Sequence, residues 1–210
     1  MDRPSSPPAR TLAEALCLAA RLDKAAARAF LELAWDLEGL GAPPSYVRRA
    51  IQGAADEVRH AKSMTALARA RGAVVCDEPA ARAEREGFFA VALRNAREGC
   101  VRATWGAACA LAQSKGAADP DVRDAMAVVA RDEVRHVRLA LDIADWVGPL
   151  LTHAQRDLVW AEQTRTLDGL EAELALGVTE AVRTELGLPT KTEARRIVGA
   201  MRAQVWSAAA

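Results

Sequence analysis

The chain writes Asp-Glu-Val-Arg-His twice, at Asp56–His60 and at Asp132–His136, 76 residues apart. Two of its three histidines fall in the repeat. In an α-helix, residues three apart differ by about 300° and are neighbours on one face. Glu57 and His60 therefore project together, and so do Glu133 and His136. The first pair shares its face with Val47, Ile51, Ala54, Met64 and Leu67. The second shares its face with Val122, Met126, Val129, Ala140, Ile143 and Val147. Each pair interrupts an apolar stripe, the side of a helix that packs inward. A buried carboxylate is costly unless it is paired or bound to a metal, so the repeat must be accommodated chemically.

The surrounding pattern predicts an all-α chain, with almost no strand signal. Helices are expected over about Thr11–Leu37, Ser45–Arg71, Pro79 or Glu86 to Lys115, and Pro120–Val147. Breakers stand between them: Gly39, Gly41, Pro43 and Pro44, then Gly72, then Gly116, with Gly148 and Pro149 after the fourth. Asp119 suits a cap and Pro120 a first helical position. Pro44 precedes Glu57 by 13 residues and Pro120 precedes Glu133 by 13. The natural reading is a four-helix bundle made of two matched hairpins, spanning residues 11–147. Residues 1–10 read as a flexible tail. Residues 148–210 read as a helical extension packed on the bundle, with helices from Thr152 to about Leu174, over Thr179–Leu186, and from Thr190. The capping-box pairs Thr152/Gln155 and Thr190/Glu193 mark two of these starts. The third histidine, His153, falls in an exposed first turn and is given no role.

Two Glu-x-x-His pairs in one interior supply two imidazoles and two carboxylates, two-thirds of a carboxylate-bridged dinuclear site. The remaining ligands would be one carboxylate from each other helix. On the first helix, phase selects Asp23, which shares its face with Leu12, Leu16, Ala19, Ala27, Phe30 and Leu37. Glu32 falls on a face with Arg21, Arg28 and Asp36 that reads as solvated. On the third helix Glu98 is expected, on a stripe of Phe88, Val91, Val101 and Trp105. Spacing agrees, with Asp23 to Glu57 at 34 residues and Glu98 to Glu133 at 35. Asp56 and Asp132 are placed to hold the outer nitrogen of a ligand histidine, most plausibly the one on the facing helix. Arg59 and Arg135, three residues further on, are placed to pair with those aspartates. The alternative for these four is two solvated surface ion pairs.

The order carboxylate, Glu-x-x-His, carboxylate, Glu-x-x-His resembles the ferritin-like di-iron carboxylate superfamily, over roughly residues 11–147. "DEVRH" is similar to the D-E-x-R-H motif of di-iron oxygenases and related oxidases. The stretches "LGAPPSYV", "REGCV" and "ARDEVRHVRLAL" look closer to bacterial ferritin-like proteins of unassigned function. The resemblance implies two iron ions, or iron with manganese, held by Asp23, Glu57, His60, Glu98, Glu133 and His136. It also implies redox chemistry with O₂ or peroxide. Carboxylate and imidazole donors suit both metals. Two departures stand out. The first ligand of the family is normally Glu where this chain has Asp23. In the "EGCV" group a second Glu commonly follows where this chain has Ala103. Glu98 and Ala103 are about 140° apart on an α-helix, so both cannot face one metal pair equally.

Three function classes follow: an oxidase or oxygenase with a small-molecule substrate and an electron donor, an iron- or peroxide-handling protein, or a bundle whose weakened site serves a scaffold role. Lys+Arg and Asp+Glu balance at 28 each, which argues against a nucleic-acid partner or an anionic membrane surface. The four cysteines form no C-x-x-C, which argues against a rubredoxin-type iron site or a zinc ribbon. No leader or membrane span is legible, so a cytoplasmic monomer or homodimer is expected. The five tryptophans read as core or interface anchors.

Overall fold

A computed structural model describes residue 9 and residues 11–75, 84–173 and 178–204. Cys76, Pro79, Trp206 and all of the N-terminal tail except Ala9 lie outside the described residues. Among those described the chain is helical throughout, apart from one bridge between Ala9 and Val178. Helix α1, Leu12–Gly39, opens on a capping box between Thr11 and Glu14. It turns at Gly41, whose φ of 72° is left-handed, into α2, Pro44–Ala70. The two helices run antiparallel along each other and approach closely at Gly53, where a Cβ would lie 2.8 Å from the Phe30 ring.

The third helical run is not one regular helix. It comprises α3, Phe88–Arg94, a π-helical segment, Asn95–Arg102, and α4, Ala103–Gly116. Its buried pairs are Val91/Ala92, Asn95/Ala96 and Cys100/Val101. The first step is four residues and the second is five, the wider turn of a π-helix, and the Ala103 N–H bonds back to the Glu98 carbonyl. Helix α5, Pro120–Val147, follows with Asp119 capping it through the Asp121 and Val122 N–H groups. It packs antiparallel along α4 and also against α2.

A 3₁₀ turn, Gly148–Leu150, leads to α6, His153–Glu173, then α7, Glu180–Leu186, and α8, Lys191–Gln204. The capping pairs Thr152/Gln155 and Thr190/Glu193 form as expected. α6 lies on the π-helical segment and α3, and α8 on α6 and α4. Val101 and Trp105 accordingly pack with Leu167, Leu170, Val198 and Met201, whereas Val91 packs with Leu37, Ala50, Leu139 and Ile143. The stripe expected on the third helix is thus two stripes serving different partners. Two smaller expectations also change. Ile51 is half exposed, and Asp36, expected on a solvated face, is buried, accepting from Arg94 at 2.6 Å and from the Glu86 N–H at 3.0 Å. Trp160, expected as a core or interface anchor, is half exposed. No described helix is long and apolar enough to cross a membrane.

Gly187 ends α7 with φ 67°, and a Cβ there would sit 2.2 Å from the Ala117 amide nitrogen. Ala118 donates to the Glu185 carbonyl at 3.0 Å in the same junction. Both the left-handed backbone and the clash act against any side chain. Gly187→Ala is expected to cost about 3 kcal/mol, read as a lower urea midpoint at unchanged m.

Two apolar clusters set the frame for the site. One holds Leu16, Ala20, Met64, Ala68, Ala110, Val122, Met126 and Ala130. The other holds Ala34, Leu37, Ala50, Val91, Leu139 and Ile143. On α1, α2 and α5 the stretch between the two clusters carries Asp23, then Glu57 and His60, then Glu133 and His136. A polar layer therefore lies between two hydrophobic ones, where water is scarce and charge is expensive.

Candidate metal centre

Where α2 meets α5 the two pentapeptides face each other. The Glu57 carboxylate lies between both imidazoles: its Oε2 is 3.7 Å from His60 Nδ1 and its Oε1 is 3.3 Å from His136 Nδ1. Glu133 Oε1 is 3.6 Å from His136 Nδ1. One donor atom each from Glu57, His60 and Glu133 lie within 4.8 Å of one another. Both Nδ1 atoms are buried without a hydrogen-bond partner.

The outer nitrogens are held crosswise. His60 Nε2–H donates to Asp132 Oδ2 at 3.0 Å, and His136 Nε2–H to Asp56 Oδ2 at 3.4 Å. Each aspartate thus holds the histidine of the facing helix. Arg59 donates to Asp56 at 2.6 Å and to Asp132 at 3.1 Å, while Arg135 donates to Asp132 at 2.7 Å and to Asp56 at 3.0 Å. The arginine side chains are about half exposed, at 50% and 51%, and the aspartates are buried. Gln52, one turn before Asp56, adds a bond of 2.8 Å. Both aspartates are anionic: burial opposes this, but bonds from Gln52, Arg59 and Arg135 hold Asp56 down to about 2, and bonds from His60 and Arg135 lower Asp132. An anionic acceptor keeps the proton on Nε2 and leaves Nδ1 as the inward-facing donor atom. Asp132→Asn is expected to weaken metal binding by about 10–100-fold with the helical content unchanged, measured by competition with a chelating dye.

Asp23 reaches the centre from α1. Phe30 meets Gly53 across the antiparallel α1–α2 pair. Seven residues back on α1 and seven forward on α2, Asp23 comes level with His60. Its Oδ2 is buried with no hydrogen-bond partner. Burial, joined by the Glu57 and Glu133 charges and offset by His60, pushes its carboxyl up to about 8. Burial opposes charge on His136 too, yet Glu133 and Glu57 beside it raise it to about 10; His60 is raised by Glu57 and Asp132 against the same opposition. Glu57 is lowered by the two histidines despite its burial. Without a metal, protons on the imidazoles and on Asp23 supply the positive charge that this group of carboxylates requires.

Glu98 does not join them. Its side chain is 51% exposed, accepts from Arg97 Nε at 2.7 Å and lies 3.8 Å from Arg102 Nε. The physical reason is the π turn: the buried face moves from Asn95/Ala96 to Cys100/Val101, and Glu98 is carried outward between them. His153 stands on the surface, as expected. Sequence reasoning did not assign a role to Phe30, whose ring lies 4.7 Å from that of His136, or to Gln52. Phe30 lies seven residues after Asp23, on the same helix face, and Gln52 four before Asp56; both spacings were visible signals.

Glu57, His60 and Glu133 together suit a divalent ion with oxygen and nitrogen preference, and Asp23 Oδ2 and His136 Nδ1 are further buried polar atoms without a hydrogen-bond partner. The fold and the site define an all-helical protein with a buried carboxylate–imidazole cluster able to hold metal. No family model, characterised protein or solved structure matches the chain.

Proposed function

We propose that α1, α2, the α3–α4 run and α5 are the four helices of a ferritin-like bundle in two hairpins. Its centre, Asp23, Glu57, His60, Glu133 and His136, holds iron, or iron with manganese. The protein then acts as an O₂- or peroxide-dependent oxidoreductase on a small-molecule substrate, with an external electron donor. The observation that carries this reading is the pair of inward, unpartnered Nδ1 atoms on either side of Glu57, each with its Nε2 fixed by an aspartate of the opposite helix. Such a tautomer lock is what a metal-ligating histidine requires.

When bound, the metal supplies the redox chemistry, which these side chains lack. The residues do the rest. Glu57, close to both inward nitrogens, would help to hold the metal, and the aspartate–arginine ring keeps both imidazoles aimed at it. The apolar layers on either side exclude water from the centre. Asp23 and the histidines shed their protons as metal enters, so binding strengthens as pH rises.

The test is ferrous loading under anaerobic conditions, followed by addition of O₂. His60→Ala and His136→Ala are each expected to lower iron affinity by about 100-fold or more, a cost above that of an outer-shell change, while His153→Ala leaves it unchanged. O₂ uptake by the loaded protein should follow occupancy. Equal iron binding in all three variants would remove the proposal.

A further inference from the structure

The two halves of this centre are unequal, and the inequality can be located. On the His60 side, α1 brings Asp23 level with the imidazole through the Phe30–Gly53 register. On the His136 side, α1 brings the Phe30 ring, 4.7 Å from that of His136. The remaining neighbour is the α3–α4 run. A Cβ on Gly99 would meet the Ala140 Cβ at 2.8 Å, and Ala110 packs among Val122, Met126 and Ala130. Those two contacts fix the antiparallel register of this run on α5. Four residues on from Gly99 and four back from Ala140, Ala103 stands level with His136. Gly99, Ala103 and Ala110 lie within about 50° of one another around the axis, allowing for the wider π turn. Ala103 is thus the spatial counterpart of Asp23, and it has no donor.

Charge makes the same point. Two divalent ions bring four positive charges. Asp23, Glu57 and Glu133 bring three negative charges, and Asp56 and Asp132 are already balanced by Arg59 and Arg135. A full pair would leave one uncompensated positive charge in a buried layer, which is strongly unfavourable. One ion at the His60 side creates no such deficit.

We infer that the protein binds one divalent ion tightly at Asp23, Glu57, His60 and Glu133. The second ion, at Glu57, Glu133 and His136, requires a monocarboxylate from solution, seated against Ala103. This ligand supplies both the missing oxygen donor and the missing negative charge. The inference rests on the metal reading above.

The experiment is Mn²⁺ titration of the full chain by calorimetry, with the spin spectrum of the bound ion as a second readout, without and with excess acetate. Without acetate one tight ion per chain is expected, with the spectrum of an isolated Mn²⁺. With acetate the affinity for a second ion rises by about tenfold or more, equivalent to about 1.4 kcal/mol, and the spectrum becomes that of a coupled pair. Ala103→Glu should bind two ions without acetate and lose the acetate response; should that variant not fold, the acetate titration of the unaltered chain decides alone. Two equally tight ions without acetate, or no response to acetate, would overturn this inference and leave the metal reading intact. No Mn²⁺ bound under any condition would overturn both.

Discussion

Glu57→Gln is expected to abolish metal binding, lowering affinity by about 1,000-fold, or about 4 kcal/mol, while Glu98→Gln leaves it unchanged. Among the described residues Glu57 is the one carboxylate placed within 3.7 Å of both inward nitrogens. Its neutral isostere keeps the shape, removes a shared anionic donor and aims an amide N–H at one imidazole. The metal-free protein suffers as well. At neutral pH the His136 charge loses a counter-ion 3.3 Å away in a layer between apolar clusters. Breaking one member of such a buried pair costs about 3–5 kcal/mol. Dye competition reads the first effect and urea unfolding without metal the second. Similar affinities for the two glutamine variants would place the centre elsewhere.

The second large effect is on stability against pH, and its direction depends on whether metal is present. In the metal-free protein His136 is raised to about 10. A raised imidazole stabilises fully below its unfolded value of about 6.5, and that stability is lost as pH climbs through about 10. At about 1.4 kcal/mol per pKa unit the loss is about 5 kcal/mol at most. Asp23 adds to the trend: with its carboxyl raised to about 8, the folded state holds a proton that the unfolded chain has released. Stability therefore falls as pH rises from about 4 to about 8. Asp56, held at about 2, acts oppositely, its contribution present above about 4 and lost on acidification toward 2. The metal-free protein should thus be most stable in mildly acidic solution and weaken steadily toward pH 10. On the proposed reading metal would take the place of those protons, so the loaded protein should keep its stability over the same alkaline range. Unfolding midpoints across pH, with Mn²⁺ and with a chelator, decide the matter. Parallel curves would contradict the assignment of His136 and Asp23 to the metal position.

Much of this was legible in the letters because an α-helix converts spacing into direction. The pentapeptide fixes Glu57 beside His60 and Glu133 beside His136. The apolar residues three, four and seven away state that these faces turn inward. The same periodicity picks Asp23 over Glu32 on α1, and one oxygen of the Asp23 carboxyl is buried. Thr11, Asp119, Thr152, Thr179 and Thr190 announce helix starts through local hydrogen bonds that need no tertiary partner.

Glu98 shows where that conversion stops. Its placement assumed an unbroken period of about 3.6 residues from Phe88 to Trp105, and a single stripe. The chain instead inserts a π turn and lays that run between α5 on one side and α6 with α8 on the other. Burial of Val101 and Trp105 there answers to partners more than sixty residues away in sequence. Asp36 is a second instance, drawn inside by Arg94, 58 residues further along. The sequence by itself determined the helices, their capped ends and the four side chains of the repeat that face one another. Only the tertiary structure decided that Glu98 faces water and that Asp36 lies inside. Helical direction is a local property set by backbone hydrogen bonds, whereas the identity of what a face meets is set by packing between segments distant in the chain.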